Sequence, residues 1–216
     1  MQQLTKDYGW ETTDEDVSHG YILPAVKALI GAQTQLKVLD AGCGNGFMAA
    51  QLAALGHDVI GVDASPDGVE LAREEFTCAR FECASVYEPM NDFTPEGGFD
   101  LIVSTEVIEH LFSPQEFLDN MFAHLRPGGS IILSTPYHGY LKNLALSLFN
   151  AWDHHHTVDW EGGHIKFFSE RTLEEMLTKA GFGTAKFHNA GRLPLLWKSM
   201  VCRADKPENI SALTER

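Results

Sequence analysis

The stretch Val38-Leu39-Asp40-Ala41-Gly42-Cys43-Gly44-Asn45-Gly46 decides how this chain is read. It ends a short apolar run, Leu36 to Gly42, and breaks into three glycines at alternate positions. The run reads as a buried strand. Asn45 to Leu55 then carries Phe47, Met48, Leu52 and Leu55 at helical spacing. Strand, glycine turn and helix in that order let the backbone turn sharply and approach a ligand closely, since glycine has no side chain to hold it off. The dinucleotide pattern GxGxxG would need glycine where Phe47 stands. A pyrophosphate would also meet the Asp40 carboxylate at the mouth of the loop. The pattern therefore favours a ligand carrying an ammonium or sulfonium group over an anionic one.

The same alternation extends outward. His57 to Asp63 reads as a second strand, followed by a helix through Glu75 with Ser65 as N-cap and Pro66 at its first position. Ala79 to Ala84 is a third strand and Phe99 to Val107 a fourth. A helix from about Pro114 to Leu125 leads through an RPGG turn into a fifth strand, SIILSTP. Ser169 to Ala180 is a helix with Thr172, Glu174 and Glu175 in or near its first turn and Gly181 as C-cap. The remainder, up to Ala204, reads as two final strands that form a hairpin-like edge. Repeated strand–helix alternation predicts an α/β fold: a mostly parallel sheet with helices on both faces. Such sheets bind ligands at the carboxyl ends of their strands. Here those ends lie just after Asp40, Asp63, Ala84 and Thr105. A carboxylate in the place of Asp63 can accept both hydroxyls of a ribose, or can simply cap the helix that follows.

Bulk composition sets the limits. The chain has 216 residues, 44% hydrophobic and 21% charged, which predicts a single domain over 1–216 with a substantial core. Lys plus Arg is 16 and Asp plus Glu is 30, a net charge of −14, which opposes binding to nucleic-acid phosphates and anionic lipid. No apolar run is long enough for a membrane span, and the polar, acidic N-terminus does not read as a secretory signal. The four cysteines, Cys43, Cys78, Cys83 and Cys202, form no CxxC pair. Reduced thiols and a cytoplasmic location are the expectation.

VLDAGCGNG, GVDAS, FDLIVSTEVIEHL and LRPGGSIILSTP stand in the order and spacing of class I S-adenosylmethionine-dependent methyltransferases, and the chain resembles that family from about Lys37 to Gly181. The resemblance implies a Rossmann-like, seven-stranded, mostly parallel sheet with a lid insertion after the fifth strand. It implies S-adenosyl-L-methionine as cofactor and S-adenosyl-L-homocysteine as product. It also implies that Asp40 and the backbone of Gly42, Cys43 and Gly44 hold the methionine portion. Asp63 would hold the ribose, Ala64 would pack on adenine, Ala84 and Ser85 would flank it, and Thr105 and Glu106 would stand next to the methyl donor. Many relatives carry an Asp in the loop after the third strand. Here that loop reads CASVYEP, leaving backbone or the Ser85 hydroxyl for the adenine amine.

After the fourth strand comes Glu-Val-Ile-Glu-His. If a helical turn starts near Glu106, then Glu109 and His110 share its face. The favoured reading has no metal: His110 is a general base for a substrate hydroxyl or amine, oriented by Glu109. In another, ExxEH with a distal His resembles the metal-assisted ubiquinone-pathway O-methyltransferases and small-RNA 2′-O-methyltransferases. That resemblance implies a divalent ion held by Glu106, Glu109, His110 and His164, the last within EGGHIKFFS. In the third, Glu109 and His110 serve capping and packing alone.

Residues 137–168 break the rhythm of the sheet: long, aromatic and His-rich, with an amphipathic helix over Leu141 to Trp152. They read as a lid on the substrate side, or as an excursion that covers apolar surface. Trp152 and Trp160 are candidate walls for an apolar acceptor. Adjacent helical histidines point about 100° apart, so His154, His155 and His156 cannot all hold one ion there. Tyr8, Trp10 and His19 lie in a segment that folds over the cofactor in similar enzymes. The expected activity is methyl transfer to a small-molecule acceptor, with a hydroxyl oxygen favoured over nitrogen or carbon. A nicotinamide-dependent reductase, a silent cofactor-binding module and a nucleic-acid methyltransferase are the competing classes. Nothing in the pattern sets an oligomeric state.

Overall fold

The computed structural model describes residues 12–13, 18–153, 163–192 and 196–209. The elements run α1 (His19–Ile30), β1 (Lys37–Ala41), α2 (Phe47–Ala54), β2 (Asp58–Asp63), α3 (Pro66–Glu75), β3 (Arg80–Cys83), β4 (Phe99–Thr105), a 3-10 turn (Ile108–His110), α4 (Pro114–His124), β5 (Leu125–Pro136), α5 (Tyr140–Leu148), α6 (Glu170–Lys179), β6 (Lys186–Phe187) and β7 (Ser199–Asp205). The seven strands form one sheet in the order β3-β2-β1-β4-β5-β7-β6. The first five are parallel, β7 is antiparallel to β5, and β6 is antiparallel to β7. Strand order reverses between β1 and β4, so a crevice opens beyond the carboxyl ends of those two strands.

Side-chain alternation explains why helices cover both faces. On β1, Leu39 and Ala41 join Ile102, Ile131 and Leu133 against Phe117, Leu118 and Met121 of α4 and Leu173 and Leu177 of α6. Val38 points the other way, with Leu101, Val103, Ile132 and Val201, onto Ile22 and Val26 of α1, Leu52 of α2 and Val69 of α3. A sheet buried on both faces reads as continuous apolar runs, as LKVLDA and DLIVS do. Each fully buried aliphatic side chain contributes about 1.5–3 kcal/mol relative to exposure.

The caps follow the sequence closely. Gly68 N donates to Ser65 Oγ at 3.3 Å, and Ser169 and Thr172 form a reciprocal capping box. Four features differ from the sequence reading. RPGG lies inside β5, where pairing with β4 shifts register between Phe99 and Leu101 and Gly128 takes φ +73°, so it forms an irregular strand entry rather than a separate turn. The cap of α6 is Ala180, and Gly181 follows with φ +103°. Helix α1, which carries Pro24 inside it, has no counterpart in the sequence reading. Finally, α5 ends at Leu148, short of Trp152. All four cysteines are free, and among the described residues no helix is long and apolar enough to cross a membrane.

Candidate functional site

The glycine loop is built as its residues require. Gly42, Gly44 and Gly46 all take positive φ, at +82°, +51° and +82°. A Cβ on Gly42 would collide with the Val107 side chain, so the loop closes directly on the segment that follows β4. Asp63, at the end of β2, holds the loop from outside. Its Oδ2 accepts from Gly44 N at 2.9 Å and its Oδ1 from Ser65 N at 2.8 Å. The same carboxylate thus ties the loop to the start of α3. Burial raises its pKa, while the amides of Ser65 and Gly44 pull it down.

Asp40 differs. It is 1% exposed, and neither carboxylate oxygen has a hydrogen-bond partner among the described residues. Burial first and the nearby Asp63 second push its pKa up to about 7; the Ala49 amide offsets less than these add. A buried carboxylate at the mouth of a glycine loop is a site prepared for a cation.

Around the loop, Asn45 Nδ2 donates to the Thr12 carbonyl at 3.1 Å, and the His19 ring stacks on Phe47 with centroids 4.8 Å apart. The segment before β1 therefore does reach the loop, through Thr12 and His19. Tyr8 and Trp10 lie outside the described residues. Past β3, Ala84 N donates to the Asp63 carbonyl at 2.9 Å, and Ser85 Oγ accepts from Tyr87 N at 3.3 Å. Ala64, Ala84 and Ser85 are half-buried along the same edge, and Cys43 is buried.

The end of β4 departs from the sequence reading. Thr105 closes the strand, but Glu106 adopts φ +56°, so no helical turn starts there; the 3-10 turn begins at Ile108. Glu106 N donates to Ser134 Oγ at 3.0 Å, and that hydroxyl donates to Glu106 Oε1 at 2.8 Å. Non-glycine residues in this region cost about 1–3 kcal/mol and concentrate at functional sites.

Glu109 is fully buried, and neither of its carboxylate oxygens has a hydrogen-bond partner among the described residues, so it does not orient His110 by a hydrogen bond. Burial and the neighbouring Glu106 raise its pKa well above the ordinary value. His164 arrives beside it at 4.0 Å, Nε2 to Oε1, and meets His110 edge-on with ring centroids 4.9 Å apart. The approach has a backbone cause: Ile165 N and Lys166 N both donate to the Glu109 carbonyl, at 2.9 and 3.0 Å. One ligand atom each from Glu109, His110 and His164 lies within 4.8 Å of the others. Glu106, the fourth residue of the expected ion set, is not in that group.

The region after β5 is an exposed helix. Helix α5 has no buried residue, and Tyr140, Leu148 and Phe149 stand largely in solvent. Trp152 is exposed, with its indole N donating to Ser147 Oγ at 3.0 Å. His154, His155, His156 and Trp160 lie outside the described residues. Sequence reasoning did not single out Asn45, which ties the loop to Thr12, or Val107, which closes on Gly42.

This fold, with its glycine loop and acidic strand ends, defines a class I S-adenosylmethionine-dependent methyltransferase. Residues 15–185 match the methyltransferase domain family, and the chain belongs to it. It is 31% identical to the ubiquinone biosynthesis O-methyltransferase of Cereibacter sphaeroides over 81% of this chain and 71% of that protein. With the Rickettsia felis protein of the same name it shares 28% over 73% of this chain and 65% of that protein. Among solved structures, magnesium protoporphyrin IX methyltransferase from Synechocystis superposes with a TM-score of 0.65 at 19% identity, covering 86% of this chain and 82% of that one. The cofactor is S-adenosylmethionine. The residues present fit it: a cradle of left-handed glycines and a buried, unpartnered Asp40 carboxylate suit a ligand with cationic groups.

Proposed function

We propose that the chain transfers a methyl group to a hydroxyl oxygen of a small molecule, assisted by a divalent ion held by Glu109, His110 and His164. The observation that carries this reading is the convergence of these three side chains around a fully buried carboxylate without a hydrogen-bond partner. Such a group is costly unless it is protonated or faces a cation. One carboxylate and two imidazoles suit Mg, Mn, Fe or Zn without choosing among them. The relatives are named as O-methyltransferases, which supports oxygen as the acceptor atom.

S-adenosylmethionine supplies an activated methyl group, and a bound ion would lower the pKa of an acceptor hydroxyl. The chain's part is alignment, exclusion of water and control of charge. Asp63 would hold the cofactor's ribose, and Asp40 with the backbone of Gly42, Cys43 and Gly44 would hold its methionine portion. Thr105 and Glu106, at the carboxyl end of β4, would border the reacting methyl. Ala64, Ala84 and Ser85 line the adenine side. Residues 137–168 act as the lid, and the apolar side chains of α5 give it a surface suited to an apolar or aromatic acceptor.

The chelation experiment separates this from a metal-free reaction in which His110 alone is the base. After treatment with EDTA, transfer is expected to cease and to return on adding Mg, Mn or Zn. Activity that survives chelation assigns the proton to His110 and rejects the ion.

A further inference from the structure

The acceptor side of the site brings two cations together in a protein of net charge −14. β5 ends at Pro136, paired with Ser199 of β7. The next residue, Tyr137, donates its amide to the Lys198 carbonyl at 2.8 Å and sets its ring edge-on to Trp197, centroids 5.3 Å apart. Its carbonyl accepts from the Lys142 ammonium at 2.9 Å. Lys142 lies in the first turn of α5, which carries no acid. Ala190 bridges to Ser199, so Arg192, two residues on, stands at this same corner.

Lys142 is half-buried, and its pKa is lowered by burial and by the Arg192 guanidinium, against a smaller opposite pull from Glu106. The hydrogen bond to Tyr137, the residue that follows β5, holds the Lys142 ammonium at the carboxyl end of that strand. An ammonium has three donors. Among the described residues Lys142 uses one, on Tyr137, and makes no ion pair. A partly desolvated cation beside a second cation is unfavourable until an anion joins them.

We propose that Lys142 and Arg192 form an anion subsite on the acceptor side, and that the methyl acceptor is a hydroxyl compound bearing a carboxylate. This rests on the hydroxyl-transfer reading above and names its substrate class. The subsite holds the carboxylate at the lid's base while the hydroxyl reaches toward Glu109, His110 and His164.

The test uses benzoate and its neutral isostere benzamide as probes, titrated by calorimetry or NMR into the full chain with S-adenosylhomocysteine present and divalent ions removed by EDTA. The wild type is expected to bind benzoate at least tenfold tighter than benzamide. Lys142→Met and Arg192→Gln should each cut that preference severalfold, leave benzamide and S-adenosylhomocysteine affinities unchanged, and be matched by a Lys142→Arg variant that keeps the preference. Equal binding of the two probes, binding of neither, or a preference that survives Arg192→Gln and Lys142→Met overturns the proposal. A fall in S-adenosylhomocysteine affinity in either variant assigns the subsite to the cofactor's own carboxylate and also overturns it. Arg192 is exposed, so its variant tests the subsite even where a Lys142 variant fails to fold. Failure of the metal-assisted reading shows separately, as a wild type that binds no divalent ion and loses nothing to chelation, and failure of hydroxyl transfer itself as a methylated product that carries the new methyl on nitrogen or carbon.

Discussion

His164 Nε2 stands 4.0 Å from Glu109 Oε1, bringing an imidazole from 55 residues further along the chain to a carboxylate buried just past the end of β4. The pair is held by main chain: Ile165 and Lys166 clasp the carbonyl of Glu109 itself. Any change at the Glu109 turn therefore moves both the carboxylate and the imidazole that faces it.

If this pair and His110 bind an ion, removing one ligand should be felt by the ion directly. Glu109→Gln and His164→Ala are expected to weaken Mn²⁺ binding by more than ~10-fold, since even residues that only support ligands cost 10–100-fold. Electron paramagnetic resonance titration of free Mn²⁺ reads this without an acceptor. Glu106→Gln should weaken it less, because Glu106 Oε1 is held by Ser134. Loss of equal size in all three variants would return Glu106 to the ligand set.

Asp40 makes the unliganded protein less stable as pH rises. Its folded pKa of about 7 exceeds the ordinary 3.8, so between those values the folded state holds a proton that the unfolded chain has lost. Stability then falls as pH climbs through that window, by roughly 4 kcal/mol, and levels off above it. Asp63 and Glu109, whose values are also raised, add to the same slope. Urea unfolding from pH 4 to 8 should show the decline, and Asp40→Asn should flatten most of it. An unchanged slope would mean that Asp40 stays ionised in the fold.

Asp63 joins the glycine loop to α3, and in the proposed function its carboxylate also takes the ribose. Asp63→Ala should weaken S-adenosylhomocysteine binding by about 2–4 kcal/mol, the loss expected for charge-assisted hydrogen bonds. Calorimetry on a folded variant measures it. Unaltered affinity would leave Asp63 as a clasp between Gly44 and Ser65.

Gly42→Ala tests the contact between loop and turn. The new methyl would strike Val107 and the backbone would be held at φ +82°. Overpacking costs about 1–3 kcal/mol, with about 1 kcal/mol more for the left-handed conformation. Urea unfolding should register a loss in that range. Because Val107 precedes the Ile108–His110 turn, Mn²⁺ affinity should fall as well; affinity unchanged beside a stability loss would show the two sites to be uncoupled.

Much of this protein is legible in its local patterns. Apolar runs such as VLDA and LIVS, each followed by glycine or acid, specify buried parallel strands and their ligand-binding ends, because side-chain alternation and turn chemistry act within a few residues. Thus Asp40, Asp63 and the loop from Gly42 to Gly46 stood out as candidate cofactor residues, and Ser65 as a cap. Tertiary structure alone decided the rest. Glu106 leaves the face of Glu109 and His110 because Ser134, on the neighbouring strand, captures its amide and carboxylate. His164 reaches Glu109 because two amides after it dock on a carbonyl far away in sequence. Asp40 keeps its proton to about pH 7 because the completed fold takes it out of water and sets Asp63 beside it. Lys142 and Arg192 share a corner because β7 returns antiparallel to β5. Long-range hydrogen bonds, burial and the fields of distant charges have no period along the chain, so they become visible only once the sheet has assembled.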